Sequence, residues 1–101
     1  MSRMIMFSYD SWAPPGRMWG PWVEIGGQSG GVVTYRVNFD TVSGSSTFDA
    51  EIQYFQDHAQ RSDIVVGPGS HTFTAGICVC ITKIRFRSHS LGQIISVSTN
   101  R

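Results

Sequence analysis

In the stretch VVTYRVNF, Val33, Tyr35, Val37 and Phe39 are apolar, while Thr34, Arg36 and Asn38 between them are polar. A period of two marks a strand with one face buried and the other wet. TFDAEIQYF repeats the pattern, with Phe48, Ala50, Ile52 and Tyr54 predicted inward and Thr47, Asp49, Glu51 and Gln53 outward. Between the two, residues 40–46 contain SGSS and predict a hairpin loop.

The same alternation runs more weakly through the rest of the chain. Residues 62–66 (SDIVV) read as a short apolar strand, VGPGS as a turn around Pro68, and residues 71–75 (HTFTA) as the returning strand. GICVCITKIRFRS follows, and after SHSLG a last strand, QIISVST, with Ile95 and Val97 inward. Upstream, MIMFSY and MWGPWVEI supply two more strands, the second interrupted at Pro21 and therefore expected at a sheet edge. No window of a dozen residues carries helical periodicity. About seven or eight short strands separated by Gly, Pro and Ser turns predict an all-β fold, a small antiparallel β-sandwich or jelly roll, with a small closed barrel as the alternative.

Composition narrows this to one folded domain spanning residues 1–101. The chain is 41% hydrophobic and only 15% charged, with 11 glycines, far from the composition of a disordered segment. A formal net charge of +1 leaves little self-repulsion to oppose self-association. It also makes nucleic acid an unexpected partner, since nonspecific binding to phosphate needs a large excess of Lys and Arg. No apolar run is long enough for a spanning helix, and the apolar part of MSRMIMFSYD is too short for a secretory signal, so a soluble chain without membrane contact is expected. Nothing in the sequence assigns a compartment.

Chemistry enters with residues 76–88. In a strand, Cys78, Cys80, Thr82, Ile84 and Phe86 share one face, and Ile77, Val79, Ile81, Lys83, Arg85 and Arg87 the other. The cysteines read as buried, reduced core residues. Structural zinc needs a second ligand pair that this chain lacks, and extended residues two apart are poorly placed for a disulfide. No cofactor or metal is expected. The basic ladder Lys83, Arg85 and Arg87 has two readings. It can bind an anion such as phosphate, sulfate or a sugar carboxylate, or it can pair across strands with Asp49 and Glu51. Arg36 and His89 can join either arrangement.

Three tryptophans, Trp12, Trp19 and Trp22, fall within eleven residues that also hold Pro14, Pro15 and Pro21. Such rings can stack on the apolar faces of sugars or anchor a protein chain. Alternatively they cap the end of the sandwich, or pack in a strand pair with Trp19, Val23 and Ile25 inward and Trp22 outward. Methionines 1, 4 and 6 suit an adaptable hydrophobic contact or a core. Catalytic signatures are weak: there is no H-E-x-x-H or P-loop, and GGQSGG, whose last five residues match G-x-S-x-G, reads as a hairpin turn rather than an elbow between a strand and a helix. Asp57, His58 and Asp63 read as a solvated loop cluster, and an enzyme is not expected.

Two functions follow as expectations. The first is a non-catalytic, lectin-like or carbohydrate-binding module that takes a glycan or small anionic ligand. Its expected site residues are Trp12, Trp19, Trp22, Arg36, Asp49, Glu51, Lys83, Arg85 and Arg87. The second is a homo-oligomeric interaction domain associating through its Met- and Trp-rich N-terminal segment.

Overall fold

The computed structural model describes residues 6–16, 18–29, 32–41, 47–56, 59–76 and 79–100. They form eight strands: β1 (Met6–Ala13), β2 (Val23–Ser29), β3 (Val32–Thr41), β4 (Phe48–Gln56), β5 (Ala59–Gly67), β6 (Gly69–Gly76), β7 (Val79–Ser88) and β8 (Gln93–Asn100). Two four-stranded antiparallel sheets result, in the orders β1-β8-β3-β6 and β2-β7-β4-β5. They stay separate, so the all-β sandwich is the architecture and the closed barrel is not. The pairings nest: β4 with β5, β3 with β6, β2 with β7, β1 with β8. This is a long hairpin rolled over itself, the jelly-roll arrangement.

Nesting also corrects the local reading of the connections. The chain crosses from one sheet to the other between β2 and β3, between β3 and β4, and at Pro68 between β5 and β6, where hairpin turns are expected from sequence. Glycine and serine permit a sharp change of direction, but they do not specify whether the next strand is a hydrogen-bonded neighbour. Gly26, Gly27, Gln28 and Ser29 of the glycine-rich stretch belong to β2 itself. That strand lies at a sheet edge, as Pro21 suggests, but begins after the proline, at Val23.

The strand faces are as the alternation predicts. Tyr35, Val37 and Phe39 from β3 meet Phe48, Ala50 and Ile52 from β4, with Ile84 and Phe86 from β7 and Ile95 and Val97 from β8, all buried. Phe39, Phe48 and Phe86 pack edge to face with ring centres 5.7 to 6.1 Å apart, a favoured geometry for aromatic quadrupoles. At the other end of the core, Phe73 lies 5.3 Å from Tyr35 and 4.6 Å from Tyr54. Gly67 is buried under the first cluster, where a β-carbon would come within 2.5 Å of the Phe48 ring and 2.8 Å of Phe39. Only glycine lets the backbone cross between sheets there.

The expected buried cysteine pair concerns Cys78 and the side chain of Cys80, which lie outside the described residues, as do Met1, Met4, Asp57 and His58.

Candidate functional site

The nine residues singled out by sequence divide between the two outer faces of the sandwich. Seven meet on the β2-β7-β4-β5 sheet. The connection between β1 and β2 runs beside the end of β7, where the Ser88 N–H donates to the Pro14 carbonyl (3.1 Å) and the Gly20 N–H donates to the Phe86 carbonyl (2.8 Å). A side chain at residue 20 would collide with the carbonyl of Trp12, so glycine is needed for this approach. Thus anchored, Trp19 and Trp22 lie among the outward side chains of β7.

The result is an interleaved stack. Lys83 Nζ lies 5.2 Å from the centre of the Trp22 ring, and Arg85 Cζ lies 4.4 Å from Trp22 and 4.7 Å from Trp19. Arg87 Cζ lies 4.4 Å from Trp19. Cations and indoles therefore alternate as Lys83, Trp22, Arg85, Trp19, Arg87. Both indoles, read from sequence as a free platform, an end cap, or a strand pair with Trp19 inward and Trp22 outward, are half-buried against charged side chains. Stacking of this kind contributes about 0.5–1 kcal/mol per contact at exposed sites.

On the other flank of β7, the register with β4 sets Arg87 opposite Asp49 and Arg85 opposite Glu51. Arg85 Nη2 is 2.6 Å from Glu51, and Arg87 Nε is 2.8 Å from Asp49. Glu51 also accepts from Ser62 Oγ at 2.9 Å. His89 bridges Asp49 and Thr47, with Nε2 2.7 Å from the carboxylate and Nδ1 2.7 Å from the hydroxyl. Burial pushes the Asp49 carboxyl up, but hydrogen bonds and charge from Arg87 and His89 outweigh it and hold the group below its ordinary value. Arg85 and Arg87 are thus neutralised by carboxylates on one side and covered by indoles on the other.

Trp12 and Arg36 lie apart from that cluster, on the outer face of the β1-β8-β3-β6 sheet. Trp12 belongs to β1 and keeps 44% of its surface exposed, its ring laid over Gly92 where no β-carbon would fit. Arg36 projects from β3 in the row of Thr72 and Asn100. On the same face is a depression of about 580 Å³ lined by Asn38, Phe39, Asp40, Pro68, Gly69, Ser96 and Ser98. The strand registers explain its polarity. Asp10, Ser96 and Asp40 form one outward row across three strands, and Ser98, Asn38 and Ser70 form the next.

Sequence reading passes over Asn38, Asp40, Ser96 and Ser98. Short polar residues at outward positions are the ordinary covering of a wet strand, and Asp40 reads there as loop although it lies within β3. Nothing local marks them as neighbours across β3 and β8.

A third polar group joins the two sheets. Tyr54 on β4 donates its hydroxyl to Asp63 on β5 (3.0 Å), and His71 Nε2 on β6 lies 2.9 Å from the same carboxylate. Burial pushes the Tyr54 phenol up, and the hydrogen bond to Asp63 and its charge push it further. Asp63 is therefore a strand residue tied into the fold rather than part of a solvated loop. Among the described residues no cluster of His, Cys, Asp and Glu could hold a metal ion, and no helix is long and apolar enough to cross a membrane. No protein-family model matches the chain, and no characterised protein or solved structure is detectably similar to it.

Proposed function

We propose that this protein is a non-catalytic, lectin-like carbohydrate-binding module whose ligand lies on the outer face of the β1-β8-β3-β6 sheet. The observation that carries this reading is the depression beside cis-Pro68, lined by a carboxylate, a carboxamide and two hydroxyls, with no Lys or Arg in its lining. That donor and acceptor set matches the vicinal hydroxyls of a neutral sugar better than it matches an anion. Trp12 supports the same reading. Two strand spacings and one two-residue step put its backbone about 12 Å from Asp40, within the length of a short oligosaccharide. Its exposed ring is available to stack on the apolar face of a pyranose. By contrast, Trp19 and Trp22 already hold cations against their rings, and the arginines beside them already hold carboxylates.

Binding is tested by titrating neutral oligosaccharides from a glycan array hit into the wild-type protein and into Asp40→Ala, Asn38→Ala and Arg85→Ala variants. The expected result is at least about a tenfold loss for the first two, the loss of one hydrogen bond to a charged or amide group. Affinity should stay unchanged for Arg85→Ala and across a range of salt. Binding that depends on Arg85 and falls with salt would move the site to the opposite sheet and the ligand to an anion. A second reading, assembly through the N-terminal segment, draws support from Met18, which remains 68% exposed beside the two stacked tryptophans.

A further inference from the structure

The edge of the second sheet is built differently from the other three. β5 pairs with β4 without interruption from Gln56 opposite Ala59 to Phe48 opposite Gly67, and among the described residues nothing pairs with its other side. Alternate N–H and C=O groups therefore point along an open, straight edge. Its solvent face carries Ile64 and Val66, 56% and 64% exposed.

Edges are ordinarily protected by bulges, prolines, charged side chains pointing outward or inward, or a covering segment. β2 has a bulge between Glu24 and Gly26, and the connection before it covers the neighbouring part of β7. β6 starts with Gly69 and Ser70 and exposes polar Thr72, and β1 presents Asp10. β5 carries its charges, exposed Arg61 and inward Asp63, in its first half; from Ile64 to Gly67 it has no charge and no bulge in its register with β4, and a proline only beyond its end.

We propose that β5 is a homodimer edge, pairing antiparallel with β5 of a second copy about a two-fold axis to continue the four-stranded sheet into one of eight. Self-pairing of antiparallel strands is isologous, so one strand supplies both halves of the interface. A register centred on Val65 sets Ile64 opposite Val66 of the second copy, and Val66 opposite its Ile64. Four aliphatic side chains then form one cross-strand patch on the solvent face. Registers centred on Asp63 are disfavoured, because they set two carboxylates opposite each other. The net charge of +1 offers little repulsion between copies. Pairing of this extent buries less than the roughly 800 Å² per partner of a stable complex, so the dimer dissociates on dilution. The ligand face described above is on the other sheet and stays open in this dimer.

The test is solution mass by sedimentation or light scattering over a micromolar to millimolar dilution series, for the wild-type chain and for Val66→Lys, Ile64→Lys and Met18→Lys. The wild type and Met18→Lys should show a concentration-dependent dimer, and both β5 variants should stay monomeric with unchanged β-sheet circular dichroism. Amide exchange of the wild type provides a measurement without substitutions: alternate β5 amides should become more protected as concentration rises. A wild-type chain that is monomeric throughout would overturn the proposal. So would an oligomer that survives both β5 substitutions but is lost in Met18→Lys, which would assign the contact to the N-terminal segment.

Discussion

The guanidinium carbon of Arg87 lies 4.4 Å from the centre of the Trp19 ring while its Nε donates to Asp49 at 2.8 Å. One side chain thus links the β1–β2 connection to β4 across the intervening strand. Trp19 has a second cation, Arg85, at 4.7 Å, so Trp19→Ala removes two stacks and uncovers the arginine stems. A loss of about 1–2 kcal/mol in chemical denaturation is expected. Arg85→Lys should recover only part of the stability lost in Arg85→Ala, because lysine keeps the charge but not the planar fork.

Asp49 sets an acid limit. Its folded pKa lies below the ordinary 3.8, because donors from Arg87 and His89 outweigh its burial. A depressed carboxylate contributes stability that is fully present above its unfolded value and is lost as pH falls through the folded one. Thermal melts of the wild type should therefore lose stability below pH 3.8, and Asp49→Asn should flatten that dependence while lowering stability at neutral pH.

Tyr54 has the opposite behaviour at high pH. Burial and the Asp63 carboxylate raise its phenol above the ordinary 10.0. Its contribution is present below that value and is lost as pH rises through the folded pKa, since the unfolded phenol ionises first. Tyr54→Phe should remove this alkaline loss and, by leaving Asp63 with one donor fewer, cost about 1 kcal/mol at neutral pH. Ultraviolet titration of phenolate absorbance should show a delayed component in the wild type that the variant lacks.

Gly67→Ala tests the corner between the sheets. A methyl there has no space beside Phe48 and Phe39, and the backbone cannot retreat without opening the cross-over. Destabilisation of about 1–3 kcal/mol is expected from overpacking, read as a lower denaturation midpoint with an unchanged slope.

Strand faces were legible because they depend on each residue and its immediate neighbours. Val33 to Phe39 and Phe48 to Tyr54 alternate whatever pairs with them. The pairing of Arg85 with Glu51 and of Arg87 with Asp49 was partly legible, since outward charges of opposite sign on two strands can become neighbours, whereas Lys83 lies opposite Gln53 on β4. Insertion of Trp19 and Trp22 between the cations was not. It depends on hydrogen bonds from Ser88 N–H to the Pro14 carbonyl and from Gly20 N–H to the Phe86 carbonyl, contacts between residues more than sixty positions apart. The depression on the other sheet has the same origin: Asp40 and Ser96 meet only because β8 is seated beside β3.

The nested pairing has a temporal consequence during synthesis. β8 sits in the interior of its sheet, between β1 and β3, so the last of these eight strands fills a gap between two made before it. A nascent chain emerging from the ribosome can form the β4–β5 hairpin soon after both strands appear, but β1 stays without its neighbour until β8 has been translated. Closure therefore waits for the most distant contact in the domain, the kind whose loop-closure cost makes all-β folds slow. During that interval the edges of β1 and β3 that β8 will join remain unpaired.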